Sequence, residues 1–561
     1  MHHVPAVVAG HAFDVAGHSE AGQHAAGIVI GAPTDVREYS RRRRGAECVG
    51  AQVDRSALEF GRIVSGDQQL HLTPLRRQVG EVVLNQLEPR RCGQLAQARH
   101  AVAYLRGREF PAPVHTDAHH RSPHAGQPIQ RQQGPKGPPM TSTATDLIIA
   151  ASPNCEPRLL RPSAGSDYRP LDDADALLEQ VDLSGLLGRG GAAFPLGTKL
   201  RTVRDAGRPG FETVVVANGE EGEPASIKDR WLLRNRPHLV LDGLRLATAM
   251  VGASRAYVYV SDQQSATAVA GALGELKPGT FGETAVSVVT VEPTYVAGEE
   301  TAAIRRINGG PAKPTDKPPR PFEEGVLGLP TMVSNVETLA NLPFIHEHGA
   351  QEFRTVGTPM SPGTFLATIT GAGRPAALYE LPHGTAFSEL LTLHGLPAES
   401  VRGALMGGYF AGLLNTEILD ATLDHETIRR LGSGLGCGAM SILTDDCPVA
   451  VAASVMSYFD RENAGQCGSC FNGTAAMAAV TSALRDGVAT DEDLVRLERW
   501  SVVLRGRGAC GTLDGATNVA ASLLRQFPQL VAQHLANDCP TCRTAAFEAV
   551  RPYEVEAVAH P

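Results

Sequence analysis

Between residues 211 and 292, β-branched runs alternate with helical stretches, and few folds accommodate that order. Residues 211–218, 255–260 and 284–292 read as strands; 237–251 and 264–276 read as helices, the first with proline at an acceptable first-turn position. Strands alternating with helices predict a parallel sheet covered by helices, and such sheets bind ligands in crevices at the carboxyl ends of their strands. At 561 residues the chain is long enough for three or four cores of this size.

The loops of this region carry the chemistry. Gly188-Arg-Gly190-Gly191-Ala-Ala-Phe194-Pro-Leu-Gly197-Thr-Lys199 is glycine-rich, so that successive N–H groups can face one anion without obstruction by side chains; the same glycines also suit a plain turn. Asn218-Gly-Glu220-Glu221-Gly222-Glu223 follows a strand and gathers mutually repelling carboxylates, which accept well from ribose or ribityl hydroxyls; an exposed acidic turn is the alternative. Tyr295-Val-Ala-Gly298-Glu299-Glu300 again places glycine and paired carboxylates at a helix start, and Ser334-Asn335-Val-Glu-Thr338 offers amide and hydroxyl groups. The chain has 45 arginines and 6 lysines, yet Lys199, Lys228, Lys313 and Lys317 all fall in or beside these loops. A compact ammonium beside a phosphate is one reason to use lysine in so arginine-biased a chain.

The formal net charge of −9 argues against nucleic-acid binding, and no apolar run is long enough to span a membrane. Residues 1–139 hold 11 of the 19 histidines, carry 17 Lys+Arg against 12 Asp+Glu, and show no sustained hydrophobic period. They are expected to be a disordered leader, or sequence upstream of a true start at Met140; a basic tail or a histidine metal tract are the functional alternatives. Residues 364–370, 377–381 and 387–393 suit a small β-rich unit with one helix, read as a spacer or docking domain. From Pro448 onward the pattern is helical, over 448–459, 473–485, 491–504 and 514–527, with Leu494, Leu497, Trp500 and Leu504 on one stripe.

Ten cysteines are too sparse for a disulfide scaffold and suggest metal or redox chemistry in a reducing cytosol. Cys467-Gly-Ser-Cys470 falls between two predicted helices and Cys510 returns later among glycines, a pattern that suits an iron–sulfur centre. Cys539-Pro-Thr-Cys542 could donate a substitute ligand, form a redox dithiol, or join Cys467 and Cys470 around zinc, although that spacing exceeds an ordinary zinc ribbon. Cys437 and Cys447 read as buried small hydrophobes.

Taken together, GRGGAAFPLGTK, NGEEGEP with Lys228-Asp-Arg230, AGEETA, KPP and SNVETLANLPF resemble the family of flavin-bearing, NADH-oxidising 51-kDa subunits of respiratory complex I and of related soluble hydrogenases and formate dehydrogenases. The resemblance covers about residues 185–510. It implies a Rossmann-like α/β FMN domain over 140–350, a ubiquitin-like β-grasp domain over 360–440, a C-terminal four-helix bundle with an iron–sulfur site over 441–545, and a tail over 546–561. It implies that Gly188, Gly190, Gly191, Asn218, Glu220, Glu221, Tyr295, Gly298, Ser334, Asn335 and Thr338 line FMN. Phe194 would stack on the nicotinamide nucleotide, Lys199 would meet its phosphates, Glu299 would lie near flavin and nicotinamide, and Glu300 would hold ribose hydroxyls, with Lys317 of the KPP motif also at the nucleotide.

Cys467, Cys470 and Cys510 occupy three of the family's four cluster positions; the other is Ala464, so a [4Fe–4S] cluster would have an incomplete thiolate set. Arg320 stands where the family has an aromatic after KPP, which leaves both NAD and NADP compatible. The implied activity is an NAD(P)H dehydrogenase that passes hydride to FMN and single electrons through the cluster to a ferredoxin-like protein or another complex subunit. Its expected location is cytoplasmic, free or peripheral to a membrane complex. A scaffold paralogue without a cluster, or a flavin diaphorase reducing soluble acceptors, are the alternatives.

Overall fold

The computed structural model describes residues 147–161, 167–207, 210 and 212–556. The expectations for residues 1–139 lie outside them. The elements of the first layer are β1 (Ile148–Ala151), α1 (Ala174–Ser184), α2 (Leu196–Gly207), β2 (Thr213–Asn218), α3 (Lys228–Asn235), α4 (Pro237–Val251), β3 (Ala253–Val260), α5 (Gln263–Glu275), β4 (Ala285–Thr290), α6 (Glu300–Ile307), β5 (Thr331–Asn335), α7 (Val336–Ala340) and α8 (Leu342–Phe353).

Strand β2, Thr-Val-Val-Val-Ala-Asn, is buried at its first five residues, which explains why its β-branched run is uninterrupted. Helix α4 opens on a proline and stops at Gly252, whose φ of 69° lies in the left-handed region. Helices α1 and α5 are capped by the side chains of Asp173 and Asp262.

Four strands form the parallel sheet β4-β3-β2-β5. The chain moves outward from β2 through β3 to β4, then returns to place β5 on the other side of β2. The reversal puts a topological switch point between β2 and β5, and their carboxyl ends pair in register at Asn218 and Asn335. The expected parallel α/β layer is present. β5 goes beyond the expected strands, because Thr331–Asn335 is short and runs directly into a motif that reads as a loop.

The next elements are β6 (Thr364–Gly371), β7 (Ala377–Pro382), β8 (Thr385–Ala386), α9 (Phe387–Leu393), β9 (Gly403–Met406), β10 (Leu413–Leu414), β11 (Thr422–Leu423), α10 (His425–Arg430) and β12 (Ala439–Leu443). They build a mixed sheet in the order β1-β7-β6-β12-β9-β10 with a core of its own around Phe365, Tyr379, Phe387 and Leu390. β1 joins this sheet by pairing parallel with β7. Just after it, the N–H groups of Arg158, Leu159 and Leu160 donate to the buried Glu380 carboxylate at 2.9, 2.8 and 2.9 Å.

The last layer is helical: α11 (Pro448–Glu462), α12 (Gly468–Arg485), α13 (Asp491–Val503), α14 (Thr512–Gln526), α15 (Pro528–Leu535) and α16 (Pro540–Ala545). α13 begins with a reciprocal cap between Thr490 and Asp493. In its predicted stripe, Leu497 is fully buried and Leu494, Trp500 and Leu504 pack partly buried against the same core. α12 starts five residues earlier than predicted, because Gly468 and Ser469 read as loop residues. Cys467 is therefore its N-cap and Cys470 lies in its first turn.

Candidate functional site

A cavity of about 650 Å³ opens at the switch point of the parallel sheet. Its walls bring together Gly188, Gly190, Gly191, Phe194, Lys199, Asn218, Glu220, Glu221, Tyr295, Gly298, Glu299, Glu300, Lys317, Ser334, Asn335 and Thr338, which is every nucleotide-site residue expected from the sequence.

The glycine-rich loop is pinched at its base, where Leu187 and Pro195 form an isolated bridge and Gly188 N donates to the Phe194 carbonyl at 2.9 Å. Arg189 N donates to Thr338 Oγ1 at 2.8 Å, which ties the loop to α7. A Cβ on Gly190 would stand 3.0 Å from Asn335 Cβ, so glycine lets the loop lie against the end of β5. Phe194 remains 49% exposed at the mouth, a large ring offered to solvent with room for a planar partner.

The acidic loop divides its labour. Glu221 accepts from Ser226 Oγ at 2.5 Å and from the N–H groups of Asp229 and Arg230 at 3.2 and 3.1 Å; its carboxylate anchors the start of α3. Glu220 is buried, and neither of its carboxylate oxygens finds a hydrogen bond of good geometry. Burial, with Glu221 close by, pushes its carboxyl up to about 8. Glu223 accepts from Tyr409 N at 2.9 Å, and burial likewise pushes it up to about 8. The Gly222 N–H and the Ser261 hydroxyl are the nearest polar neighbours of Glu220, and a buried carboxyl on a cavity wall without a well-formed hydrogen bond is a polar group that a hydroxyl-rich ligand would satisfy.

The lysines are distributed by role. Lys228 is buried between Asp229 at 2.7 Å and Glu337 at 3.0 Å, so it serves the framework and not a phosphate. Lys317 Nζ is held 2.8 Å from both Glu299 and Glu300. Lys199 donates to the Val333 carbonyl at 2.9 Å and lies 3.9 Å from Glu300, and burial lowers its pKa. Burial would raise Glu300, but the Lys317 hydrogen bond and the Lys199 and Lys317 charges more than offset it and hold it below the usual range. Glu299 caps α6 by accepting from Thr301 N at 2.8 Å.

Asn335 donates to Asp229 at 2.7 Å and caps α7, so much of its hydrogen-bonding capacity is used internally. Asn218 Nδ2 donates to the Gly298 carbonyl at 2.8 Å, joining two of the loops.

Sequence reasoning missed the opposite wall. Gly407, Phe410 and Gly436 come from the second sheet's loops, Gly511 lies beside Cys510, and Cys437 lines the cavity, which corrects its reading as a plain buried residue. Burial pushes the Cys437 thiol up to about 12. The clustered glycines at 407–408 and 434–438 were the available signal. Tyr295 packs edge-on to Tyr458 and Phe459 of α11, which joins the bundle to the cavity.

Cys467, Cys470 and Cys510 line a separate small cavity with Ala464, Gly465, Gln466 and Pro314. Among the described residues lining it there is no fourth cysteine, no histidine and no carboxylate. These three thiols would supply three thiolate ligands to an iron–sulfur cluster, and Ala464, on the same wall, has no atom that could supply a fourth. Cys539 and Cys542 take no place there; they lie with Cys447 and His534. That position goes against two of the three alternatives for the pair, a substitute cluster ligand and a shared site with Cys467 and Cys470, while Cys447 is buried in the bundle core as its reading as a small hydrophobe expects.

A parallel sheet with a polar cavity at its switch point, a glycine-rich loop and a nearby set of thiols is the arrangement of a nucleotide-binding protein with a redox or metal centre beside its ligand. Residues 181–344 match the Nuo51 FMN-binding domain, and residues 450–534 match the NADH-ubiquinone oxidoreductase-F iron-sulfur binding region. The chain is 33% identical over 400 residues to an F-type subunit of NADH-quinone oxidoreductase from Rhizobium meliloti, covering 67% of this chain and 94% of that protein. It is 30% identical over 427 residues to the NADP-reducing hydrogenase subunit HndC of Solidesulfovibrio fructosivorans, covering 71% and 86%. Among solved structures, NAD+-reducing [NiFe]-hydrogenase in the H2-reduced state superposes with a TM-score of 0.60 at 31% identity, over 65% of this chain and 63% of that one. The chain belongs to the family of 51-kDa NADH-quinone oxidoreductase subunits that bear FMN and an iron–sulfur centre.

Proposed function

We propose that the chain oxidises NAD(P)H at the cavity between β2 and β5 and hands the electrons one at a time to a partner protein. FMN bound there would accept hydride from the nicotinamide, and the iron–sulfur cluster would carry single electrons outward. The observation that carries this reading is the buried Glu220, which has no well-formed hydrogen bond, on the wall of a cavity that is also lined by Gly511, next to Cys510.

In this reading the glycine loop, Asn218, Glu220, Tyr295, Gly298, Ser334, Asn335 and Thr338 hold the flavin, while Glu221 positions α3 behind it. Phe194, Lys199, Glu299, Glu300 and Lys317 take the nicotinamide nucleotide: the exposed ring stacks, Lys199 meets phosphate, and Glu300 turns from its lysines toward ribose hydroxyls. Arg320 lines the same cavity, where its guanidinium can stack on a base or pair with a 2′-phosphate. Hydride transfer needs no general acid, so the chain's task is to position the two rings and exclude water.

We further propose that the second sheet is a β-grasp unit, supported by its mixed strand order and by α9 packing on it. We propose the divisions 140–350, 360–440 and 441–545, with the hydrophobic core of the bundle drawing in Leu405, Tyr409 and Leu413 from the middle unit and Ala225 from the first. The partner is another complex subunit or a ferredoxin-like protein, and the protein works in the cytoplasm or at the periphery of a membrane complex. Among the described residues no helix is long and apolar enough to cross a membrane. Ala464 favours a second reading, a diaphorase that reduces soluble acceptors without the cluster.

The test is anaerobic purification followed by flavin identification, iron counting and low-temperature EPR after NADH or NADPH addition. Bound FMN with an EPR-active cluster reduced by either nucleotide is the expected result. FMN reduction without any cluster signal selects the diaphorase, and absence of flavin after reconstitution overturns the reading.

A further inference from the structure

We propose that Cys447, His534, Cys539 and Cys542 form a closed tetrahedral site for one zinc ion, distinct from the iron–sulfur cavity, which pins the C-terminal end of the bundle. One ligand atom from each residue can be chosen so that all four lie within 4.8 Å of one another. Cys447 Sγ is 3.2 Å from His534 Nε2 and 3.9 Å from Cys539 Sγ. Tetrahedral zinc, with Zn–S near 2.3 Å and Zn–N near 2.0 Å, places such atoms about 3.8 Å (S···S) and about 3.6 Å (S···N) apart. The observed separations are within a few tenths of an ångström of those values. A disulfide needs about 2.05 Å, and all of these cysteines are free. The group is also too compact to surround a four-iron cubane, whose cysteine sulfurs stand outside the cube of irons.

His534 is prepared for ligation. Its Nδ1 lies 2.9 Å from the Leu484 carbonyl, so Nδ1 carries the proton and the Nε2 lone pair faces the sulfurs. The residue is 2% exposed; in an ordinary apolar core, Nε2 would be left with thiols as its neighbours.

Local structure sets the bite. Cys539 is the N-cap of α16 and Cys542 lies in its first turn, while His534 ends α15 only five residues before Cys539. Cys447 is the N-cap of α11, where the positive end of the helix favours a thiolate. Three thiolates on zinc carry one net negative charge, and Arg485 at the end of α12 lies within electrostatic reach of Cys542. Cys447, His534 and Cys539 are buried, which suits a structural site with no open coordination position.

The consequence lies beyond α16. Residues 546–556 cross back to the acidic loop: Val555 N donates to the Pro224 carbonyl at 3.1 Å, Arg230 Nη1 to the Glu556 carbonyl at 2.7 Å, and Tyr409 Oη to the Pro552 carbonyl. Zinc would join the starts of α11 and α16 to the end of α15, fixing the point from which this segment departs. The inference is independent of which nucleotide the cavity takes.

The experiment is elemental analysis of the full-length flavoprotein purified without added metal, with X-ray absorption at the zinc edge. The expected result is one zinc per chain in addition to cluster iron, with a first shell of three sulfurs at about 2.3 Å and one nitrogen at about 2.0 Å. Cys539→Ser and Cys542→Ser should each lose the zinc while retaining flavin and iron. They should also make residues 546–556 exchange amide hydrogens faster. Trace zinc in the wild type, a single iron there instead, a Cys447–Cys539 disulfide after anaerobic thiol blocking, or full zinc in the Cys539→Ser/Cys542→Ser double variant would each overturn the proposal. If the variants fail to fold, the wild-type zinc content and absorption spectrum decide alone.

Discussion

Glu220, buried, and Glu223, half-buried, sit three residues apart, and both carboxyls are pushed up to about 8 by desolvation. A carboxyl whose folded pKa exceeds its unfolded value binds more protons when folded, so the stability of the flavin-free protein falls as pH rises from about 4.5 to about 8. Glu220→Gln should flatten part of that fall and leave the part that Glu223 contributes. Thermal melts of apoprotein at pH 5, 6.5 and 8 measure it; an unchanged pH slope in the variant would mean that Glu220 ionises freely. Lys199 makes the complementary case. It is partly desolvated, its ammonium lies on the cavity wall between the Val333 carbonyl and Glu300, and a charge-assisted contact contributes roughly 1.5–3 kcal/mol. Lys199→Ala should therefore raise the KM for the nicotinamide nucleotide about ten- to a hundredfold, read by steady-state kinetics with ferricyanide. An unchanged KM removes Lys199 from the nucleotide site.

At the scale of elements, the loops depend on close approach. A Cβ on Gly222 would stand 2.8 Å from the Thr294 carbonyl oxygen and 3.0 Å from that of Tyr295, both backbone atoms that cannot step aside alone. Gly222→Ala should push the acidic loop away from the Tyr295 loop, costing about 1–3 kcal/mol of stability. Flavin occupancy, measured by absorbance after desalting, should fall with it. The glycines and carboxylates were legible in the sequence because each follows a strand or opens a helix, where a parallel sheet collects its ligands. The strands themselves were legible through runs such as Val214-Val215-Val216. What escaped was tertiary: β1 has too little pattern to reveal that it pairs with β7, and the glycine clusters at 407–408 and 434–438 mark tight turns without saying that they, with Phe410 and Cys437, close the cavity's far wall. Lys228 was misleading for the same reason. Its neighbours Asp229 and Glu337 are brought together only by the fold.

At the scale of the whole molecule, the three layers meet where electrons must leave. The nucleotide cavity ends at Gly511, and Cys510 turns from there into the small cavity shared with Cys467 and Cys470. The loop at 464–466 is fastened to the first layer: Lys313 Nζ donates to the Ala464 carbonyl at 2.9 Å, and the Gln466 side chain bridges Arg305 at 3.1 Å and the Pro314 carbonyl at 2.8 Å. Position 464 is thus held at the rim of the three-thiol cavity, where a methyl group cannot bind iron. An iron without thiolate coordination is open to solvent and to oxidants. Wild-type protein should therefore lose iron in air toward three per cluster, and Ala464→Cys should retain four for longer, because residue 464 already lines the cavity of the three thiols. Cys470→Ser should abolish the cluster signal and transfer to a protein acceptor while NAD(P)H still bleaches the flavin. Iron counts over time in air, with EPR on anaerobic samples of all three proteins, test this together. A wild-type cluster as durable in air as that of Ala464→Cys would mean that the fourth iron already has a strong ligand, and Gln466, beside Ala464 on the cavity wall, would be the residue to replace next.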